Sequence, residues 1–177
     1  MNSNFIWIVG NMGSGKTTAC RKLVEILPTF TYLNIDDFRI KYNQQRTRDG
    51  EELAINSMEK AIHSTSNILL DSVGTWGYFA KYRNTKTVNP IKIYFKCDKS
   101  VAMDRIKQRL KNPIQVPFVS SDNSIETYSK NYDLFEYKFK GQYEEDVDLT
   151  IDTSALNYDQ ALSKVVDFLS RKAYVSL

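Results

Sequence analysis

The segment of residues 10–17, with the sequence GNMGSGKT, carries the strongest chemical signal in the chain. It follows an apolar run at residues 5–9 and precedes a stretch with helical periodicity, the context that the spacing G-x-x-x-x-G-K-[ST] requires. Its glycines allow successive backbone N–H groups to point inward, and the N-terminus of the following helix adds partial positive charge. We therefore predict that this segment, the phosphate-binding loop, holds the phosphates of a nucleotide.

Two side chains of the phosphate-binding loop have the chemistry that phosphoryl transfer needs. Lys16 is expected to reach the β- and γ-phosphates of ATP and to offset the charge that develops as the γ-phosphoryl group leaves. The Thr17 hydroxyl is the expected ligand of Mg²⁺. ATP and Mg²⁺ are therefore the expected cofactors, and the predicted nucleotide-binding residues are Gly10, Asn11, Met12, Gly13, Ser14, Gly15, Lys16, Thr17 and Thr18.

Charged residues also follow the next two apolar runs. Asp36 and Arg39 come after the run at residues 32–35, and Asp71 ends the run at residues 67–70. Because the carboxyl ends of parallel strands meet at one edge of a sheet, both carboxylates are expected close to the nucleotide. Asp36 could act on a hydroxyl acceptor, or it could cap a helix that begins one residue later. Asp71 could orient Mg²⁺ through water or bind the acceptor.

Apolar periodicity and turn residues predict five strands that alternate with helices. The strands are expected at residues 5–9, 32–35, 67–70, 91–95 and 147–151. Helices are expected at about 15–27, 49–65 and 100–110, along the apolar face from Ile125 to Phe139, and near the end of the chain. The pairs that signal a helix start are Asp49 with Glu52, Asn123 with Glu126, and Asn157 with Gln160.

This alternation predicts an α/β fold in which helices cover both faces of a five-stranded parallel sheet. The fold class is the three-layer P-loop NTPase fold in its nucleoside-kinase-like form. The loop that contains Pro113 and Pro117 is the expected short lid, at about residues 105–120. A length of 177 residues with 42% hydrophobic content is sufficient for a single domain, residues 1–177.

The composition also bounds the cellular setting. No apolar stretch reaches the roughly 18 residues that a membrane helix needs, and the first residues lack the features of a signal peptide. We therefore expect a cytoplasmic protein without a membrane partner. Cys20 and Cys97 are far apart in the sequence and are predicted to be buried, reduced thiols. The sequence does not indicate an oligomeric state.

Charge is unevenly distributed, although the net charge is only +3. Residues 39–48 contain four basic and no acidic residues, and residues 81–111 contain ten basic and two acidic residues. These segments are either solvated helix faces or the walls of an electropositive cleft for a polyanion. Aromatic residues near the second segment are either core residues or platforms for stacking bases: Trp76, Tyr78, Phe79 and Tyr82.

Further motifs extend this interpretation over most of the chain. They are DDFR at residues 36–39, Asp71 and DRIKQR at residues 104–109, and together with GNMGSGKT they give a sequence that resembles the polynucleotide-kinase and zeta-toxin-like branch of P-loop kinases. The resemblance implies that Asp36 is the general base and that Arg39 holds an acceptor phosphate. It also implies that Arg109 and Arg105 stabilise the transferring phosphoryl group, although both could be surface residues of a polar helix.

These features favour transfer of the γ-phosphate of ATP to a hydroxyl of a nucleic acid. The hydroxyl could be a 5′-hydroxyl of DNA or RNA or a hydroxyl on a modified base in DNA, which some phage enzymes of similar type phosphorylate; for a phage protein the location is the host cytoplasm. A small-molecule kinase acting on a nucleoside monophosphate or a hydroxy metabolite is one alternative. A nucleotide-binding switch in which ATP binding matters more than turnover is the other.

Overall fold

The computed structural model describes residues 4–43, 47–74, 90–111, 124–142 and 146–172. These residues contain a five-stranded sheet in which each pair of neighbouring strands is parallel, in the order β2-β3-β1-β4-β5. The strands are β1 (Asn4–Gly10), β2 (Thr31–Asn34), β3 (Asn67–Ser72), β4 (Ile91–Lys96) and β5 (Leu149–Asp152). The predicted α/β fold with a five-stranded parallel sheet is confirmed.

Six helices lie within the described residues. They are α1 (Lys16–Ile26), α2 (Ile35–Tyr42), α3 (Arg48–Ser64), α4 (Lys99–Lys111), α5 (Ile125–Gln142) and α6 (Tyr158–Arg171). No helix in the described part of the chain is long and apolar enough to span a bilayer.

Alternate residues of β1 separate the two layers of helices. Ile6 and Ile8 pack in one core cluster with apolar residues of α1 and α6, whereas Phe5, Trp7 and Val9 pack in a second cluster with residues of α3 and α5. Both faces of the strand are buried because its neighbours are parallel and both faces of the sheet carry helices. The continuous apolar run in the sequence has this physical cause.

The structure excludes the alternative in which Asp36 caps a helix, and it corrects the predicted start of α3. Asp36 does not cap α2, because the side chain of Asn34 accepts a hydrogen bond from the Asp36 N–H at 2.8 Å and so takes the cap position. The helix therefore begins at Ile35, which we had assigned to the second strand. Asp49 does not start α3 either, because the Thr47 hydroxyl accepts from the Gly50 N–H at 3.0 Å. Both carboxylates instead lie in a first turn.

The remaining caps can be compared with their predictions. Asn123 lies outside the described residues, and the Ser124 hydroxyl accepts from the Thr127 N–H at 3.1 Å at the start of α5. The capping box of Asn157 and Gln160 is present at the start of α6. Cys20 and Cys97 are buried and free, as predicted.

The predicted lid, residues 105–120, falls only partly within the described chain. Residues 105–111 form the end of α4, and residues 112–120 lie outside the described ranges. The aromatic residues 76, 78, 79 and 82 also lie outside them.

Replacing Asn157 by Ala tests the capping box of α6. We expect the variant to lose about 1 kcal/mol of unfolding free energy, because the Gln160 N–H loses its acceptor at the helix start. Urea denaturation of wild type, Asn157→Ala and the control Ser163→Ala, at an exposed position of the same helix, measures this loss. Equal stability of the two variants would contradict the role of the cap.

Candidate active site

The phosphate-binding loop has the geometry of an anion cradle. Gly13 and Gly15 have φ angles of 77° and 87°, in the left-handed region that favours glycine. Gly15 is the N-cap of α1 and contributes no side-chain cap, so the first N–H groups of the helix keep their capacity to bind an anion. A methyl group at Gly15 would meet no atom within 4 Å, which shows open space at the helix N-terminus.

The Ser14 side chain, within the phosphate-binding loop, also indicates an anion site. Its hydroxyl is buried and has no hydrogen-bond partner among the described residues. A buried polar atom without a partner is destabilising by about 1–3 kcal/mol, so such a group usually has a ligand or water to bind. A phosphate oxygen would supply the missing partner, and the loop therefore fits the phosphates of a nucleotide.

Lys16 lies buried under the phosphate-binding loop. Its Nζ donates a hydrogen bond to the carbonyl oxygen of Asn11 at 3.0 Å. Burial lowers the pKa of Lys16, while the charges of Asp71 and Asp36 act in the opposite direction. The charge of Arg109 makes a smaller contribution that also lowers this pKa. Phosphate oxygens would stabilise the ammonium group that burial now penalises.

Thr17 and Asp71 form the oxygen-rich side of the site. The Thr17 hydroxyl donates to Oδ2 of Asp71 at 2.6 Å, and the same oxygen accepts from Nδ2 of Asn34 at 2.8 Å and from the Tyr32 hydroxyl at 3.2 Å. Burial and the charge of Asp71 raise the pKa of Tyr32, so this phenol remains a neutral donor. A hydroxyl beside a buried carboxylate is a donor set that suits Mg²⁺.

Asp36 lies across from these groups, in the first turn of α2. Its side chain is 46% exposed, and Oδ1 accepts from NH1 of Arg39 at 3.0 Å. Oδ2 has no hydrogen-bond partner within the described ranges. The charge of Asp36 raises the pKa of Lys16, so the two side chains are within electrostatic reach of each other. The Asp36 carboxylate is exposed enough for a hydroxyl to reach it from solvent.

Glu51, in α3, is a site residue that sequence reasoning missed. Its carboxylate accepts from Arg39 Nε at 3.1 Å and from Arg39 NH2 at 2.6 Å. The sequence offered no signal for this pairing, because the two residues are brought together only by the packing of α2 on α3. Tyr32 and Asn34, which hydrogen-bond Asp71, were also missed, because they are brought beside it by the pairing of β2 with β3.

Arg105 and Arg109 lie on α4 but have different surroundings. Arg105 donates to the carbonyl oxygens of Thr153 at 2.7 Å and of Gly13 at 3.2 Å, so it ties α4 to the phosphate-binding loop and to the turn after β5. Arg109 is exposed, and its charge lowers the pKa of Lys16. Their predicted contacts with a transferring phosphoryl group stay predictions.

The remaining predicted nucleotide-binding residues border the loop. Asn11 is buried and donates through Nδ2 to the carbonyl oxygen of Tyr132 in α5 at 3.1 Å. Met12 packs against the core cluster around α4, and Thr18 is exposed on the first turn of α1. At Gly13 a methyl group would lie 2.7 Å from the carbonyl oxygen of Ala102, so the loop also requires glycine for its approach to α4.

Comparison with known proteins assigns the family. A family model with the description AAA domain, AAA_18, matches residues 6–129, which include the phosphate-binding loop, Asp36, Asp71 and α4. The chain belongs to this AAA domain family. Comparison with curated proteins gives no match.

Solved structures show that the AAA domain described here has the fold of shikimate kinases. The shikimate kinase from Acinetobacter baumannii in complex with shikimate is 17% identical, with a TM-score of 0.65, and the match covers 96% of this chain and 94% of that chain. The shikimate kinase from Bacteroides thetaiotaomicron is 14% identical, with a TM-score of 0.66 and coverage of 94% and 98%. At these identities the likeness establishes the fold.

Replacing Lys16 by Met is expected to abolish nucleotide binding and to raise the free energy of unfolding at pH 7. Burial lowers the pKa of Lys16 in the folded protein below 10.5, so folding penalises the protonated side chain. The gain in unfolding free energy should be fully present below the lowered pKa, where Lys16 is protonated in both states. It should vanish as the pH rises to 10.5, where the side chain loses its proton in the unfolded chain as well. Denaturant unfolding across this pH range measures it.

The control for this prediction is Lys22→Met, because the Lys22 side chain is 50% exposed on the same helix. We expect no gain in stability from this control. If the two substitutions change the unfolding free energy equally at pH 7, burial does not destabilise the protonated Lys16 side chain.

Proposed function

We propose that this AAA domain is an ATP-dependent kinase that transfers the γ-phosphate to an alcohol hydroxyl presented to Asp36. The observation that carries the proposal is the position of the Asp36 carboxylate. It is nearly half exposed, has one oxygen without a partner among the described residues, and lies within electrostatic reach of Lys16. An accessible carboxylate near the bound phosphates is what a general base for a hydroxyl acceptor requires, and nucleotide binding alone does not use it.

The residues of the site have separable parts in the proposed reaction. The phosphate-binding loop and Lys16 hold the phosphates, and Asp36 Oδ2 orients the acceptor hydroxyl and takes its proton as the oxygen bonds to the γ-phosphorus and ADP leaves. Thr17 and Asp71 would hold Mg²⁺, which when bound offsets the negative charge of the phosphates. Arg109 is the candidate cation for the transferring group, and Arg105 keeps α4 on the loop. Catalysis rests mainly on positioning and electrostatics.

One candidate acceptor is a hydroxyl of a nucleic acid, at a 5′ end or on a modified base. It is supported by the resemblance of the motifs GNMGSGKT and DDFR to polynucleotide kinases and by the basic segments. Several of those basic residues have partners within the protein. Lys92 pairs with Asp146 at 2.6 Å, Lys99 with Asp133 at 2.6 Å and Lys107 with Asp104 at 3.0 Å.

The second candidate is a small hydroxy compound, and the fold supports it. The chain shares its fold over nearly its whole length with enzymes named as shikimate kinases, one of them in complex with shikimate. The internal ion pairs of the basic residues leave less positive charge for a polyanion than the sequence suggests.

A transfer assay with labelled γ-phosphate distinguishes the acceptors. The panel contains 5′-hydroxyl DNA and RNA, hydroxymethylated-base DNA, nucleoside monophosphates and small hydroxy metabolites. A polyanionic acceptor held by several Lys and Arg contacts should lose affinity steeply as salt rises, whereas a small acceptor should show a shallow dependence. Nucleotide binding without label on any acceptor would favour the nucleotide-binding switch.

Replacing Asp36 by Asn is expected to reduce phosphoryl transfer to the best acceptor about 100-fold or more, because the amide cannot take the proton of the hydroxyl. ATP affinity should stay within about twofold, since Asp36 lies on the acceptor side. Single-turnover transfer and equilibrium ATP binding measure the two effects. The matched control is Asp37→Asn, at the neighbouring exposed carboxylate; loss of transfer in this variant alone would move the base to Asp37.

Replacing Asp71 by Asn tests the proposed metal side of the site. We expect the affinity for MgATP to fall about tenfold or more, with a much smaller change for ATP in the presence of a chelator, because the carboxylate beside Thr17 is lost. Calorimetric titration with and without Mg²⁺ gives both values for the same variant. An equal loss in both titrations would indicate that Asp71 supports the loop rather than the metal.

A further inference from the structure

The guanidinium of Arg39 is engaged at each of its nitrogens. Glu51 accepts from Nε at 3.1 Å and from NH2 at 2.6 Å, and Asp36 accepts from NH1 at 3.0 Å. A planar guanidinium binds a carboxylate and a phosphate through the same fork of N–H groups. Glu51 therefore occupies one of the two forked edges through which Arg39 could bind a phosphate, and Asp36 accepts from NH1 at the other.

Glu51 is held in this place by its own surroundings. Asn43, which is buried, donates from Nδ2 to Glu51 at 3.3 Å and accepts from the Thr47 N–H at 2.8 Å. The approach of Asn43 is close enough that a methyl group at Gly50 would lie 2.3 Å from its Oδ1. Glu51 also lies in the first turn of α3, where the helix dipole favours a carboxylate.

The charges of Asp36, Arg39 and Glu51 also disfavour the binding of a phosphate at Arg39. Asp36, Arg39 and Glu51 together carry one positive and two negative charges. The side chains of Arg39 and Glu51 are only 21% and 27% exposed, so solvent screens their interaction incompletely. Burial by itself would lower the pKa of Arg39, but the hydrogen bonds and charge of Glu51 and Asp36 outweigh it and raise this pKa. An arriving phosphate would have to displace a well-matched carboxylate from a site of net negative charge.

We propose that Glu51 is a specificity-determining residue: by occupying the Nε–NH2 edge of Arg39, with Asp36 on NH1, it restricts the kinase to acceptors that carry no phosphate beside the hydroxyl presented to Asp36. This inference rests on the proposed function only in placing the acceptor at Asp36. It differs from the role that the sequence resemblance implies for Arg39, which is to hold an acceptor phosphate. The favoured class contains neutral hydroxy compounds and hydroxymethyl groups on a base. Nucleotides with a phosphate near the accepting hydroxyl are disfavoured.

Inorganic phosphate is a direct probe of this proposal, since its binding requires neither turnover nor a known acceptor. With MgADP filling the nucleotide site, phosphate is titrated into wild type and Glu51→Gln, and the ¹⁵N resonance of Arg39 Nε is followed. We expect the wild-type resonance to be unmoved by phosphate. In Glu51→Gln it should move, with phosphate affinity at least about tenfold higher. The neighbouring exposed Glu52→Gln, on the same helix, is the matched control and should behave as wild type.

The added variant Arg39→Met in the Glu51→Gln background should remove the gain in phosphate affinity. The proposal is overturned if phosphate moves the Arg39 resonance of the wild-type protein, or if Glu51→Gln binds phosphate no better than wild type. A shift of the wild-type resonance overturns the proposal even where the variant is too unstable to study. A failure of the proposed function would instead appear as a loss of MgADP binding, or as unchanged transfer after Asp36→Asn, with the Arg39 titration unaffected.

Discussion

The parallel pairing of β1 with β3 is the constraint on which the site depends. Its register sets Ile8 against Asp71 and Val9 against Ser72, so the carboxylate next to the end of β3 lies beside the start of the phosphate-binding loop. The Thr17 hydroxyl, in the first turn of α1, donates a hydrogen bond to Asp71. The buried bond from Trp7 Nε1 to the Ser72 hydroxyl, at 2.7 Å, fixes the same register. A shift by one residue would turn Asp71 away to the other face of the sheet.

The second dependence is the contact between the phosphate-binding loop and α4. Gly13 approaches the backbone of Ala102 so closely that a methyl group could not be inserted, and Arg105 bonds the Gly13 carbonyl and the turn after β5. Asn11 joins the loop to α5 through the carbonyl oxygen of Tyr132. The loop therefore takes its shape from its own glycines and from the helices behind it. This rigidity lets the N–H groups face a ligand before the ligand arrives.

The charges of the site are divided between a nucleotide side and an acceptor side. Lys16 is buried, and its pKa depends on the charges of Asp71 and Arg109. Arg39 instead forms ion pairs with Asp36 and Glu51. Positive charge is thus concentrated where the phosphates of a nucleotide would lie, and it is cancelled on the other side of Asp36. That division is the basis of our proposal that the acceptor carries no phosphate near its hydroxyl.

The sequence by itself determined the α/β fold, the phosphate-binding loop and the positions of Asp71 near the end of β3 and of Asp36 shortly after β2. These features are local: glycine at fixed spacing, apolar runs buried on both faces, and polar residues where a strand stops. The helix starts differ from the predicted ones, because Asn34 and Thr47 cap α2 and α3 in place of Asp36 and Asp49. Only the tertiary structure brought Glu51 onto Arg39 and set Arg105 against Gly13. Side chains from separate helices meet through packing and crossing geometry, which no pattern along one segment records.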